Sequence, residues 1–366
     1  MPLEKSKTAT IADVARAARV STATVSLVVN GQASSLRISE GTRQSVLAAV
    51  RQLGYTPNHA ARSLRRGKTG VLALLITQVD VPYHGEVATA AVAAAESLGY
   101  DLHVLEARSP EHEARLLERL RGGPVDGALV ATMRSPFERD GRPILAELAR
   151  RNEARITLAQ SGTPVVALLD RSPDPLVPAV GIDNEEGAYL VTRHLIDLGH
   201  QRIGHVAVRS QPPADDEQTA SADRFRGYRR ALREAGLAYA DDLLMSPEHG
   251  RRLPAGHRFG RCWRQMPADG VTAIFVSNDL LAIGVLRGLF EVGIRVPEDL
   301  AVAAFDGIEL SGYTRPSLTT VEHPRADLGR IGTETLVGLA EGRPAAERER
   351  ILPVRLMVRE STVRTV

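Results

Sequence analysis

Apolar residues fall at Ile11, Val14, Ala15 and Ala18, the i, i+3, i+4, i+7 spacing that puts one stripe on a helix. Thr10 followed by Asp13 offers a capping-box-like start, so the pattern predicts a helix over about 11–18. Arg19 and Val20 form a turn, and Ser21 is placed to cap a second helix whose Val25, Val28 and Val29 face the first. Thr22, Ala23, Ser26, Leu27 and Asn30 are left facing outward. A third helix begins near Ser39, buries Val46, Leu47, Val50 and Leu53, and stops at Gly54. Three short helices with one core make a small all-α head. Pro57 and Asn58 then open a stretch in which residues 58–66 can form about two turns of helix, too few to stand alone in water because nucleation outweighs so few hydrogen bonds.

The period changes at Val71. VLALLI, DLHVLEA, GALVAT, PVVALLD, RIGHVAV, TAIFVSN and LAVAAFDG each read as a buried parallel strand, with helical stretches between most of them. This is an α/β body of doubly wound sheets. Its roughly 300 residues exceed one comfortable core and favour two similar lobes with a cleft between them. The strand-like run ILPVRLMVRES comes near the end.

Charge divides the chain in the same place. Through Lys68 there are eleven basic residues and three acidic ones, a net of +8, which leaves −6 for the remainder of a chain whose total is +2. Attraction for a polyanion is therefore concentrated in the head. No apolar run approaches the ~20 residues of a membrane span, and MPLEKSKTAT lacks the apolar middle of a signal peptide, so the expected address is the cytoplasm with no membrane partner. The single cysteine, Cys262, reads as a small buried residue beside Trp263. His194, His200 and His205 match no zinc spacing and read as structural. No phosphate-binding glycine loop, nucleophile constellation or catalytic carboxylate pair is present, so neither an enzyme nor a bound cofactor or metal is expected.

The blocks TIADVARAARVSTATVSLVVNG, RISEGTRQSVLAAVRQLGYTPNHAARSLR, RHLIDLGHQRIGHV, DRFRGYRRALREAGL, AIFVSNDLLAIGVLRGL and VPEDLAVAAFDGIELSGYTRPSLTTV, in this order and spacing, resemble the lac repressor family of bacterial transcription regulators. The resemblance covers essentially the whole chain. It implies a helix-turn-helix DNA-binding domain over 1–56, a hinge helix and linker over 57–69, and an effector-binding and dimerisation domain over 70–366. That body would be shaped like a periplasmic sugar-binding protein, with lobe 1 about 70–168 and 325–352, and lobe 2 about 183–321 and 353–366.

In the family the second helix enters the major groove, and two heads of a homodimer bind a near-palindromic double-stranded operator. Members usually carry a large polar residue, commonly arginine, where this chain has Leu27, and specificity is also set at Thr22 and Ala23. Leu27 and Ala23 can touch a thymine methyl, while Thr22, Thr24 and Ser26 can bond phosphates or base edges. The alternative for Leu27 is packing against its own domain. Thr10, Ser21, Asn30 and Ser39 complete the DNA-facing set on the head. In the hinge, the resemblance makes Leu64 a minor-groove wedge, with Ala61 allowing close approach, Asn58 at the start, and Arg62, Arg65, Arg66 and Lys68 on phosphates. Leu64 buried against the head is the other reading. The loop GQASSLR is longer than in the best-known members, and its Arg37 is either a phosphate contact or a solvated charge.

Ligands of doubly wound sheets sit at the carboxyl ends of strands, which points to Asp170, Asn278, Asp279 and Asp306. By resemblance, Asp170, Arg224, Asn278 and Asp306 match effector-contacting positions, and Tyr83 lies where members often stack an aromatic ring. Carboxylates, an amide and a guanidinium suit a polyhydroxylated ligand such as a sugar or sugar derivative. Their alternative is structural, since polar residues at strand ends also cap the next helix, as is expected of Asp279; Tyr83 has ordinary packing as its alternative. Ala131 replaces a polar contact of some relatives, so no particular sugar follows. Helix 85–98, apolar on more than one face, suits both sheet packing and dimer contact. The overall expectation is an effector-controlled repressor, with a cytoplasmic small-molecule-binding protein or a repressor without an effector as alternatives.

Overall fold

The computed structural model describes residues 9–29, 38–55, 68–131, 145–169, 171, 174–207, 212, 219–247, 252–266 and 269–363. Asn30, Arg37, Asn58, Ala61, Arg62, Leu64, Arg65 and Asp170 lie outside them. The chain divides into two compact units, Met1–Thr69 and Gly70–Val366.

The head contains α1 (Ile11–Ala18), α2 (Thr22–Val29) and α3 (Glu40–Leu53). Thr10 and Asp13 close a reciprocal capping box on α1. Ser21 Oγ accepts from the Thr24 N–H at 3.1 Å, and Ser39 Oγ accepts from the Thr42 N–H at 3.2 Å. These contacts satisfy donors that a helix start otherwise leaves without partners. Val14, Ala15, Ala18, Val25, Val28, Val46 and Ala49 form the core. Leu53, expected inside, is instead 38% exposed, because Ala49, Val50 and Tyr55 take the packing positions at that end of α3.

The body is built on two six-stranded sheets. The first holds β1 (Val71–Ile76), β2 (Asp101–Glu106), β3 (Gly127–Ala131), β4 (Val165–Leu168), β5 (Ala179–Ile182) and β11 (Glu349–Leu352) in the order β11-β5-β4-β3-β1-β2. All its pairings are parallel. The second holds β6 (Ile203–Val206), β7 (Leu244–Met245), β8 (Ala273–Val276), β9 (Ala301–Asp306), β10 (Thr319–Glu322) and β12 (Arg355–Met357) in the order β12-β10-β9-β8-β6-β7. Among the described residues only β12 runs antiparallel. The DLHVLEA run is not a buried strand: β2 stands at a sheet edge, and Val104 is 41% exposed. The ILPVRLMVRES run is not one strand either. It breaks at Pro353 and gives β11 to one sheet and β12 to the other.

The connecting helices are α4 (Pro82–Ser97), α5 (Pro110–Leu120), α6 (Leu145–Gln160), α7 (Asn184–Asp197), α8 (Ala220–Glu234), α9 (Arg252–Arg261), α10 (Asp279–Glu291) and α11 (Arg325–Ala340). Among the described elements the backbone passes from one lobe to the other after β5, after β10 and after β11. α4 lies so close to α11 that a Cβ on Gly329 would stand 2.4 Å from the Val87 carbonyl oxygen. Part of the second apolar face of α4 is thus covered within the chain. A core that includes Leu72, Leu168, Phe275, Phe305 and Val321 spans both sheets. His205 stacks between Tyr228 and Phe275, His194 meets the Thr362 hydroxyl at 2.9 Å, and His200 meets the Thr272 hydroxyl at 2.9 Å. Cys262 is exposed, contrary to expectation, because it follows the end of α9 and only Trp263 beside it packs inward.

Candidate functional site

On the head, the side chains named for DNA contact occupy the start and outer face of α2 and the starts of α1 and α3. Ser21, Thr22 and Ala23 are exposed, and Thr24, Ser26 and Leu27 are half-buried. Leu27 is not among the apolar residues packed on the head's core. Thr10, Ser21 and Ser39 spend hydroxyl capacity on capping, with Ser21 and Thr24 hydroxyls 2.9 Å apart. Among the head's cations, Arg16 pairs with Asp13 at 3.2 Å and Arg43 with Glu40 at 2.9 Å, both at the surface. Such exposed pairs cost little to open when a phosphate offers an alternative.

In the body, β9 delivers Asp306 at its carboxyl end and α8 delivers Arg224 from its second turn; the two meet at 3.4 Å. Arg224 is 7% exposed, and each of its three nitrogens has a partner. Its Nε donates to Asn184 Oδ1 at 2.9 Å, one terminal nitrogen donates to the Ser277 carbonyl at 2.5 Å, and its guanidinium lies 3.8 Å over the Phe305 ring. Burial lowers its pKa, opposed chiefly by the Asp306 charge. Burial also raises the pKa of Asp306, against the pull of Arg224, Arg252 and Arg325. Asp306 has φ 124, a conformation non-glycine residues rarely hold, and its carbonyl accepts from Arg325 at 2.7 Å. Strained backbone of this kind persists where its surroundings over-determine it, commonly at functional sites.

Tyr83 enters from the start of α4, 4% exposed, with its ring edge-on to His323 at 4.9 Å. Burial, then the Asp306 charge, raises its phenol pKa. The capping role at the end of β8 falls one residue earlier than expected. Asn278, not Asp279, caps α10, its Oδ1 accepting from the Leu281 N–H at 3.0 Å. Asp279 turns inward and is fully buried, accepting from the Ser311 hydroxyl at 2.5 Å, the Thr320 hydroxyl at 2.5 Å and the Ile308 N–H at 2.9 Å. The structure therefore brings Tyr83, Arg224 and Asp306 into one cluster, places Asn278 at its edge beside Ser277, and adds Asn184, His323 and Arg325. The one sequence signal for the additions is the His323-Pro324-Arg325 run between a strand and a helix.

A membrane span has no candidate, since no described helix is long and apolar enough to cross one. The arrangement is a basic, capped head with polar side chains converging where two sheets meet. Residues 10–58 match the model of bacterial regulatory proteins of the lacI family, and residues 192–362 match a periplasmic binding protein-like domain. A ribose operon repressor of Halalkalibacterium halodurans is 31% identical over 355 residues, spanning 96% of this chain and 97% of its own. Among solved structures, a lac repressor dimer bound to operator and the anti-inducer ONPF superposes with a TM-score of 0.77 at 26% identity, covering 98% of this chain and 100% of that one. The transcriptional regulator CelR in complex with cellobiose gives a TM-score of 0.65 at 29% identity, covering 96% and 99%. Shared length, the lacI-type head and the sensor-like body make the chain a member of the lacI family of bacterial regulatory proteins, a family of transcriptional regulators and not of enzymes.

Proposed function

We propose that the protein acts in the cytoplasm as a repressor that binds a near-palindromic operator as a homodimer, and that a small hydroxylated molecule held between its lobes controls that binding. The observation that carries the reading is the buried Arg224–Asp306 pair, set with Tyr83 where the lobes meet, in a chain whose net positive charge lies in its head. The ribose operon repressor and the cellobiose complex support a sugar-like effector, and the operator-bound dimer supports the DNA partner and the two-fold assembly.

On the DNA side, Thr22, Ala23 and Leu27 read base edges and methyl groups, and Thr10, Ser21, Thr24, Ser26, Asn30, Arg37 and Ser39 position the head. The hinge, 57–69, supplies the deformation-based part of specificity through Leu64, with Asn58 and Ala61 shaping it and Arg62 and Arg65 on phosphates. On the sensor side, Tyr83, Asp170, Arg224, Asn278 and Asp306 hold the effector. Effector changes the relation of the two lobes and thereby the stability of the paired hinge helices. Because helices that short are marginal, a few kcal/mol of differential binding shifts the population.

The test is to select genomic fragments with the purified full chain at moderate ionic strength, then titrate the selected site while sugars are added. Preference for a defined pseudo-palindrome over bulk DNA, altered by a sugar, is the expected result. Leu27→Ala then shifts the preferred bases at unchanged thermal stability. Uniform binding to all fragments, with and without sugars, would reject the proposal.

A further inference from the structure

One peptide group at the lobe junction is held at both ends by side chains. It joins Asp306 to Gly307 at the carboxyl end of β9, where both residues take positive φ, 124 and 65. Glycine adopts such backbone freely and aspartate does not, so the strain of leaving β9 sits in Asp306. The closeness of β10 adds a constraint: a Cβ on Gly307 would stand 2.6 Å from Glu322 Cα. The Gly307 N–H donates to the Thr320 hydroxyl at 3.2 Å, and the Asp306 carbonyl accepts from Arg325 at 2.7 Å. Thr320 belongs to β10 of the same lobe, whereas Arg325 is the first residue of α11, in the other lobe across the passage that follows β10. Arg325 is itself oriented from behind, its Nε pairing at 2.5 Å with Glu86 on α4, which packs against α11. A guanidinium is a planar fork, so two acceptors fix its orientation where one would leave it free to turn.

We propose that Arg325 is the positioning residue of Asp306: oriented by Glu86, it holds the 306–307 peptide in the strained conformation that carries the Asp306 carboxylate to Arg224. This rests on the reading of Asp306 as an effector-binding residue and adds what regulates it. Arg325 directs its fork at Glu86 and at the carbonyl, and acts on ligand only through Asp306. One lobe provides the carboxylate, and the other provides the group that aims it. When the lobes separate at this junction, the Asp306 carbonyl loses its charged donor and nothing sustains the strained backbone. The binding-competent fraction then falls, and apparent affinity falls with it. The relation of the lobes is thereby converted into affinity through the backbone of one residue.

The experiment uses the full chain as wild type, Arg325→Lys and Glu86→Ala, and reads residue-resolved amide hydrogen exchange together with thermal unfolding midpoints over a concentration series of D-ribose or cellobiose. Arg325→Lys keeps the charge beside Asp306 but loses the fork, and Glu86→Ala removes only the exposed orienting partner. Both should speed exchange at the Gly307 amide at least ~10-fold, the factor one charge-assisted hydrogen bond commands, while the amides of β8 exchange as in wild type. A role in general stability would accelerate β8 and β9 alike, and an effect of charge alone would leave the lysine variant at wild-type exchange; either result overturns the assignment. Where a sugar stabilises the wild type, both variants should need at least ~10-fold more of it for the same midpoint shift. An unchanged requirement would overturn the link to affinity. If neither sugar shifts the wild type, the reading of the cleft as a site for such sugars fails, and exchange at Gly307 by itself decides whether Arg325 sets the Asp306 backbone.

Discussion

Asp279 shows how much one side chain can differ from what its position in the chain suggests. Burial, reinforced by the nearby Asp306 carboxylate, pushes its pKa from 3.8 up to about 7 even though Ser311, Thr320 and Ile308 all donate to it. Between about pH 4 and pH 7 the unfolded chain has released this proton while the folded chain retains it. The folded state then binds more protons, and stability falls as pH rises through that window before levelling off. Asp279→Asn keeps the shape, and its NH2 can donate to the Thr320 hydroxyl. Thermal melting of both proteins from pH 4 to pH 8 should show a midpoint difference that moves in the variant's favour up to about pH 7 and is constant above it. A difference that does not change with pH would mean that Asp279 does not titrate in this range. Which of Asn278 and Asp279 caps α10 was illegible in the sequence because capping turns on a one-residue phase that strand and helix periodicities do not fix. Asp306 was legible because strand ends place such residues regardless of their neighbours, and Arg224 only through the family resemblance. Asn184 and His323 were not, since each meets its surroundings only after distant segments pack together.

At the scale of elements, the apolar periodicities located α1, α2, α3 and most strands of the body. They missed β5, β10 and the two-residue β7, and they merged β11 and β12, where one apolar run serves two sheets. They also said nothing about how closely helices approach. α9 and α10 touch through glycines: a Cβ on Gly256 would stand 2.1 Å from the Leu281 carbonyl oxygen, and one on Gly284 would stand 2.2 Å from the Leu253 carbonyl oxygen. Alanine is favoured over glycine in a helix by about 1 kcal/mol, but the clash here is with backbone that cannot rotate away, and overpacking costs about 1–3 kcal/mol or more. Gly256→Ala should therefore destabilise the body, lowering its unfolding midpoint by roughly 2–10 °C. Gly85 in α4 supplies the contrast, with nothing within 4 Å of its Cβ. Gly85→Ala should leave the midpoint unchanged or raise it slightly, and calorimetry on the two variants checks the pair. Equal effects would mean that helix propensity outweighs the close approach.

For the whole molecule, the separation of charge has the broadest consequence. The head's +8 and the remainder's −6 nearly cancel in the total, so net charge alone would describe a protein indifferent to DNA. Binding to a polyanion depends instead on how many cations displace condensed counterions at the contact. The observed association constant falls with salt as a power law of exponent about −0.9 for each phosphate neutralised. In a dimer every substituted cation is removed twice. Arg62→Gln should therefore flatten the log–log salt dependence of operator binding by about 1.8, while lowering affinity to a similar degree for operator and bulk DNA. Asp197→Asn is the companion measurement: Asp197 belongs to an exposed pair with Arg193 in the body, and its loss changes net charge by the same amount in the opposite sense. If contact governs binding, the Asp197 variant keeps the wild-type slope within error. If both variants shift the slope by comparable amounts, the long-range field of the whole chain governs association, and the basic residues before position 69 do not constitute a docking surface.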